Sequence, residues 1–240
     1  MEKAPSYKDK YSNIVSIGCM CSTALFLRSI GVRSCSSFFD WVDGNLKNNI
    51  ELIENSFSNL FDRDLLVQKF DGCPHIVTNT KYGISFVHLF DPKKTFDKQY
   101  SNVLKETDKH IKNFYDSLEN NCLLVYYCRN KQEAKWIKNN QELLVNFCLK
   151  HHSNFIFIFN DKTIKLESFK SFVIPANNIH IPFGGPVSYL FEETSELDEF
   201  LISHYDPEKR KQNLDYHPRK HIIRHIKAKL SKHRKDKLVL

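Results

Sequence analysis

The chain has 240 residues, 41% of them hydrophobic and 13% aromatic, which is enough to bury a substantial core in a single domain. No run approaches the ~18 consecutive apolar residues that span a bilayer, and residues 1–13 lack the apolar segment of a secretory signal, so we expect a cytoplasmic protein. The seven cysteines are an odd, scattered set, unlike the disulfide framework of a secreted domain, and the net charge is +7.

The first predicted unit is a strand, a turn and a helix. Residues 13–18, NIVSIG, are a short apolar run that ends in glycine, as expected where a buried strand gives way to a functional loop. Residues 22–31, STALFLRSIG, follow with apolar residues at helical spacing. Ser22 or Thr23 is available as the N-cap of this helix, and Gly31 as the left-handed residue that ends it.

Helical patterns and solid apolar runs alternate through the rest of the chain. The runs at 122–128 and 154–160 vary little in polarity, as expected of strands that helices cover on both faces, and a third run follows at 179–183. We therefore predict an α/β fold, a mainly parallel sheet covered by helices, with an irregular insertion after the first helix (32–82) and a basic C-terminal helix. The segments with helical spacing are 46–57, 98–120 and 131–151.

Cys21 stands at the turn from the first strand into the first helix. Ligands of open α/β sheets bind at the carboxyl ends of the strands, and the N-terminus of a helix stabilises a thiolate. Cys21 is therefore the candidate nucleophile, and the backbone amides of Ser22 and Thr23 would form its oxyanion hole. The alternative is a thiol that only packs in the core, which is the role we expect of Cys19.

A thiol nucleophile needs a general base, and His88 is the candidate among the eleven histidines. It ends the strand-like segment 82–92 on an apolar face, where an imidazole is costly without a partner or a function. Histidines in lysine-containing helices, such as His110, are expected to be solvated. Asp40 or Asp91 could orient the His88 imidazole, and the spacing does not choose between them.

Other candidate sites are weaker. CMC at 19–21 and CPH at 73–75 supply three sulfurs and one imidazole, but each pair has one intervening residue where zinc knuckles have two to four. We therefore predict no metal and no cofactor. PFGGPV at 182–187 could approach a ligand or form only a turn. Arg129, at the end of the apolar run 122–128, could clamp a substrate or form a surface ion pair.

Three motifs together resemble a bacterial family described as papain-like cysteine peptidases. They are SIGCMCSTALFLR, FFDW and YGISFVHLF, in this order, and the match runs from about residue 12 to about residue 130. The resemblance places Cys21 and Arg28 on the first motif. It places Asp40 and Trp41 on the second motif and His88 on the third.

The resemblance implies a catalytic set of Cys21, His88 and Asp40. Leu89 stands where the family has an acidic residue, and Asp40 therefore becomes the preferred orienter; Phe38 replaces a proline. The implied activity is that of a cysteine-dependent hydrolase of peptidase or amidase type, which forms a thioester with a small-molecule, glycan or peptide acyl substrate. The order strand, cysteine, helix also resembles acyltransferase-like proteins encoded with surface-polysaccharide genes, so acyl transfer is the alternative. The predicted substrate-binding residues are Arg28, Trp41, Arg129, Ser22 and Thr23.

Residues 217–240 hold nine Lys or Arg against the single Asp236, which gives this tail a charge of +8 and leaves 1–216 near neutral. We therefore divide the chain into a catalytic-type α/β domain, 1–216, and a basic tail, 217–240. The tail pattern predicts a cationic amphipathic helix, which could contact the inner face of an anionic membrane, bind nucleic acid or pack on the domain. A non-enzymatic binding protein is thus the second functional class, although nucleic-acid signatures are absent from 1–216.

Overall fold

The structure is a computed structural model that describes seven stretches of the chain. They are 6–8, 10–18, 21–33, 35–68, 76–91, 93–174 and 195–216. Five features of the sequence lie outside the described residues: Cys19, the CPH segment at 73–75, the apolar run at 179–183, PFGGPV at 182–187 and the basic tail at 217–240.

Strands and helices alternate along most of the chain, with short strands clustered between the first two long helices. In chain order the elements are β1 (Asn13–Ser16), α1 (Cys21–Ser29), a 3-10 turn (Phe38–Asp40), β2 (Val42–Asp43), α2 (Leu46–Glu54), a second 3-10 turn (Arg63–Leu65), β3 (Leu66–Gln68), β4 (Val77–Asn79), β5 (Ile84–Phe86), α3 (Phe96–Leu118), β6 (Cys122–Tyr127), α4 (Lys131–Asn139), α5 (Gln141–Lys150), β7 (Ser153–Phe159), β8 (Lys170–Val173), α6 (Ser195–Ser203) and α7 (Pro207–Tyr216).

The central sheet contains four parallel strands in the order β1-β6-β7-β8. Every residue of β6 and β7 is buried, as expected of strands that are covered on both faces. The predicted α/β fold with a mainly parallel sheet is therefore confirmed. Because all four strands run in the same direction, their carboxyl ends meet at one edge of the sheet, to which β1 delivers the turn before α1.

The insertion after the first helix contains α2 and a second, antiparallel sheet in the order β2-β5-β4-β3. Its strands have two or three residues each. The period-two pattern at 82–92 forms a strand only over β5, where Ile84 and Phe86 are buried. The chain then bends, and His88 is exposed rather than on the apolar face predicted for it.

The long helical patterns form helices, with one break. The segment predicted at 98–120 is α3, whereas the segment predicted at 131–151 divides into α4 and α5. Asn140 lies between them, outside the helical region, and its side-chain amide donates to the carbonyl of Trp136 at 2.7 Å. This side chain competes with the backbone for the last carbonyls of α4, which ends the helix there. No helix of the described stretches is both long and apolar enough to cross a membrane.

Aromatic packing attaches the second sheet to α3. Phe39 contacts Phe114 of α3 with ring centroids 5.0 Å apart, and Phe38 contacts Phe57 at 5.1 Å and Phe86 of β5 at 6.4 Å. Edge-on pairs of this kind add to the energy of area burial and restrict the ring orientations. The turn that carries Asp40 is therefore held against both α3 and the antiparallel sheet.

Candidate functional site

The turn between β1 and α1 positions Cys21. Gly18 has a φ of 104°, a conformation that favours glycine, and a Cβ there would lie 2.4 Å from Nδ2 of Asn49. That same amide of Asn49, on α2, donates to the carbonyl of Ile17 at 2.8 Å. The last carbonyl before the turn is thus held by α2, and α1 begins at Cys21 close to the carboxyl edge of the sheet.

The Cys21 thiol is half-buried, and burial raises its pKa, while a hydrogen bond from its own backbone amide acts in the opposite direction. The position at a helix N-terminus predicted a lowered pKa, whereas the pKa is raised, with burial as the largest cause. At neutral pH the thiol is therefore protonated and requires a base to become a nucleophile. Cys122, Cys128 and Cys148 are fully buried, and burial raises their thiol pKa values strongly.

Ser22 and Thr23 lie inside the first turn of α1 and do not cap it, because the helix begins at Cys21. Both side chains are fully buried, and among the described residues neither hydroxyl has a hydrogen-bond partner. The amides of a first helical turn have no intrahelical acceptor, so those of Ser22 and Thr23 suit an oxyanion. Their role in an oxyanion hole stays a prediction.

Asp40 is 1% exposed and ends the first 3-10 turn. Its Oδ2 accepts hydrogen bonds from the amide of Ser37 at 2.7 Å and from the guanidinium of Arg33 at 2.5 and 3.2 Å. Burial raises the pKa of the Asp40 carboxyl, and the Arg33 charge and the Ser37 amide oppose that rise. The Arg33 side chain is only 9% exposed, and the sequence analysis did not select it. Its position seven residues before Asp40 of the FFDW motif was the feature of the sequence that could have identified it.

Trp41 connects Asp40 to His88. The Trp41 indole N–H donates to Oγ of Ser36 at 2.9 Å, and Ser36 Oγ lies 3.4 Å from Oδ2 of Asp40. The Trp41 and His88 rings meet edge-on with centroids 6.0 Å apart. The β2–β5 ladder pairs Val42 with Phe86, so Trp41 immediately precedes β2 and His88 lies two residues beyond the end of β5, at the same end of the two strands. An orienting hydrogen bond between Asp40 and His88 stays a prediction.

His110 of α3 was predicted to be solvated, but it is half-buried. It has the helical spacing of the buried Val103, Thr107, Phe114 and Ser117, and this spacing was the signal that identified its face. Burial lowers the pKa of His110, and the nearby Asp40 carboxylate opposes that effect. The imidazole is therefore uncharged at neutral pH and lies within the electrostatic reach of Asp40.

The two predicted substrate-binding arginines differ in their surroundings. Arg129 is exposed, and its two terminal guanidinium nitrogens donate to the carboxylate of Asp43 at 2.5 and 3.2 Å. This pair connects β2 to the end of β6. Arg28, in the last turn of α1, is half-buried. Burial lowers its pKa, Arg33 lowers it further, and Asp40 opposes both. Contacts to a substrate stay predictions for both residues.

Contacts join the second and third motifs into one cluster around Trp41, and electrostatics extend it from Asp40 to Arg28 on the helix of Cys21. The pairing of Cys21 with His88 stays a prediction. No group of three or more His, Cys, Asp or Glu side chains suited to a metal ion occurs among the described residues. A groove of about 1000 Å³ lies between α2, α4 and α5, and no predicted site residue lines it.

A family model described as "putative papain-like cysteine peptidase" matches residues 12–172, more than half of the chain. The chain belongs to this family. The matched region extends from the start of β1 into β8, and it includes all three motifs together with Cys21, Asp40 and His88. The family resemblance predicted from those motifs is therefore confirmed. No curated protein and no solved structure matches the chain.

Proposed function

We propose that the protein is a cysteine-dependent hydrolase of the peptidase or amidase type in which Cys21 is the nucleophile and His88 the general base. The position of Cys21 carries this proposal. Its thiol is half-exposed at the start of α1 and at the carboxyl edge of the parallel sheet, within the region that matches the family. Cys122, Cys128 and Cys148 are enclosed in the core and suit only packing.

The first chemical step forms a thioester. Because the Cys21 thiol is protonated at neutral pH, His88 removes its proton as the sulfur attacks the acyl carbon. The carbonyl oxygen becomes an oxyanion, which the amides of Ser22 and Thr23 stabilise. When the tetrahedral intermediate collapses, the bond to the leaving group breaks, and the leaving group takes the proton from His88.

The second step regenerates the thiol. His88 removes a proton from water, the hydroxide attacks the thioester carbon, and the carbon–sulfur bond breaks to release a carboxylic acid, while the protonated His88 gives its proton to the sulfur of Cys21. Asp40 orients the imidazole through the cluster that contains Trp41 and Ser36. A hydroxyl or amine in place of water would give acyl transfer by the same chemistry, which is the alternative activity.

Trapping the acyl-enzyme tests this proposal. The protein is mixed with p-nitrophenyl acetate, quenched in acid, digested and analysed by mass spectrometry for an acetyl group on Cys21 that hydroxylamine removes. We expect stoichiometric labelling of the wild type and none of Cys21→Ser. Cys35→Ser is the matched control, because Cys35 is the other half-buried thiol of the described residues.

Two results would refute the proposal: acetylation of Cys21 in His88→Ala at the rate of the wild type, or equal labelling of Cys21 and Cys35. Addition of glycerol or glycinamide then separates the two activities. If an acceptor accelerates the loss of the acetyl group and becomes acetylated, the protein is a transferase. If the acetyl group is released only to water, it is a hydrolase.

A further inference from the structure

Arg28 has a half-buried side chain whose guanidinium makes no hydrogen bond or ion pair with the described residues. The nearby carboxylate of Asp40 is already engaged by the Arg33 guanidinium at 2.5 Å and by the Ser37 amide at 2.7 Å. A guanidinium that is partly withdrawn from water and has no ion-pair partner bears a desolvation cost, and an anion that binds beside it offsets that cost.

The electrostatics of the cluster around Arg28 favour an anion. After burial, the largest effect on the Arg28 pKa is repulsion by Arg33, and the attraction of Asp40 is smaller. The cluster thus contains two guanidinium groups, Arg28 and Arg33, and one carboxylate, Asp40. His110, on the helix packed against this turn, adds no negative charge, because its side chain is neutral or cationic.

Arg28 and Cys21 lie on the same face of α1. They are seven residues apart, and at about 100° per residue this separation falls about 20° short of two full turns, which corresponds to ~10 Å along the helix axis. Long side chains on a helix lean towards its N-terminus, so the guanidinium is directed back along the helix towards the thiol.

Arg28 also occupies the last helical turn, where a cation interacts favourably with the helix dipole. A fully exposed arginine would have the same interaction with the helix dipole. The dipole therefore does not explain why Arg28 is half-buried beside Arg33. The surroundings of Arg28 therefore require a different explanation.

We propose that Arg28 binds an anionic oxygen group of the substrate, a carboxylate or a phosphate, within ~10 Å of the acyl carbon that Cys21 attacks. This inference rests on the proposed function and specifies its substrate class. The substrate is an acyl compound with a negative charge about six to eight bonds from the scissile carbonyl, on the order of the reach of the spacing along α1.

A matched pair of thiol reagents tests the proposal. The reagents are 6-maleimidohexanoate and its neutral amide, which have the same spacer and differ in charge. The rate of reaction at Cys21 is measured for each by mass spectrometry, with fragment ions that separate Cys21 from Cys19. We expect the ratio of the anionic to the neutral rate at Cys21 to exceed the same ratio measured with glutathione. In Arg28→Gln this ratio should fall at least about fivefold, as for the loss of a partly exposed charge-assisted hydrogen bond.

Arg63→Gln is the matched control, because Arg63 is an exposed arginine paired with Asp97, and its ratio should equal that of the wild type. Equal ratios in the wild type, Arg28→Gln and glutathione would overturn the anion site. If the ratios are equal but Cys21 still reacts more slowly in His88→Ala than in the wild type, only the anion site is refuted. If Cys21 reacts equally fast in His88→Ala and the wild type, the proposed function is refuted instead.

Competition at constant ionic strength identifies the anion. Inorganic phosphate that slows the anionic reagent more than acetate does indicates a phosphorylated substrate, and the reverse order indicates a carboxylate. Equal slowing by the two supports the site without a preference. No slowing by either, up to concentrations that saturate simple anion sites, counts against Arg28 as an anion-binding residue.

Discussion

At the scale of single residues, the Arg33–Asp40 pair is the feature that the candidate site depends on most. Both side chains are almost fully withdrawn from water, and the carboxylate also accepts the amide of Ser37. A buried ion pair is weak evidence of net stabilisation, but removal of one partner leaves the other charge buried and uncompensated. The pair therefore fixes the conformation of the turn that carries Trp41.

Asp40→Asn should lower the free energy of unfolding by about 3–5 kcal/mol, because the Arg33 guanidinium then stays buried without a counterion. Urea unfolding at neutral pH measures the loss. The double variant Arg33→Met/Asp40→Asn should be more stable than Asp40→Asn alone, since it removes the stranded charge. A single variant as stable as the wild type would show that the pair does not determine the turn.

At the scale of elements, the β1–α1 turn is fixed by backbone conformation and by α2 together. Gly18 adopts a positive φ, and Asn49 of α2 fills the space that a side chain at Gly18 would need. The strand, the turn and the Gly31 end of α1, where φ is 79°, were predicted from the sequence. The contribution of Asn49 was not, because Asn49 lies 32 residues after Ile17, whose carbonyl it contacts.

Gly18→Ala should lower the free energy of unfolding by about 1–3 kcal/mol, because the methyl group is strained at this φ and meets the Asn49 amide. Denaturant unfolding is again the measurement. Gly83→Ala is the matched control: Gly83 also has a positive φ, of 60°, but its nearest neighbour is the end of the Asn48 side chain at 3.2 Å. Equal costs at the two glycines would contradict the close approach at Gly18.

At the scale of the whole molecule, the parallel sheet could be predicted and the antiparallel sheet could not. The strands β6 and β7 have six and seven residues, all buried, and each contains a long apolar run, so their pattern is unambiguous. The strands β2 to β5 have two or three residues, too few to establish a period of two, and long-range pairing decides them. His88 was assigned to an apolar face for this reason.

The site follows the same division. Cys21 is placed by a local strand-to-helix pattern that the sequence contains in full. Arg33 and Ser36 contact Asp40 from seven and four residues earlier in the same loop, whereas His110 comes near Asp40 because α3 packs on the 3-10 turn, a contact that no local pattern specifies. Sequence reasoning therefore identified the motif residues and missed the side chains that surround them.

The pH dependence of stability tests the position of His110. Burial lowers the pKa of its imidazole in the folded protein. Below the ordinary value of about 6.5, the imidazole therefore binds a proton more strongly in the unfolded chain than in the folded protein. This contribution to stability is present above that pH and is lost as the pH falls. His110→Asn should therefore show a smaller fall in urea midpoint between pH 7.5 and 5.5 than the wild type. Identical falls in the two proteins would place His110 in solvent.

The pairing of Cys21 with His88 is the central claim, and the rate of Cys21 alkylation by iodoacetamide between pH 5 and 10 tests it most directly. Burial raises the thiol pKa of Cys21 in the folded protein, so the thiol is protonated at neutral pH and its alkylation there needs a base that removes the proton. We predict that at pH 7 the wild type reacts faster than His88→Ala, and that the two rates converge above the thiol pKa, where the thiolate forms without a base. The control His204→Ala, which removes an imidazole hydrogen-bonded to the carbonyl of Phe200, should react as the wild type does. Equal rates of the wild type and His88→Ala at pH 7 would contradict the pairing.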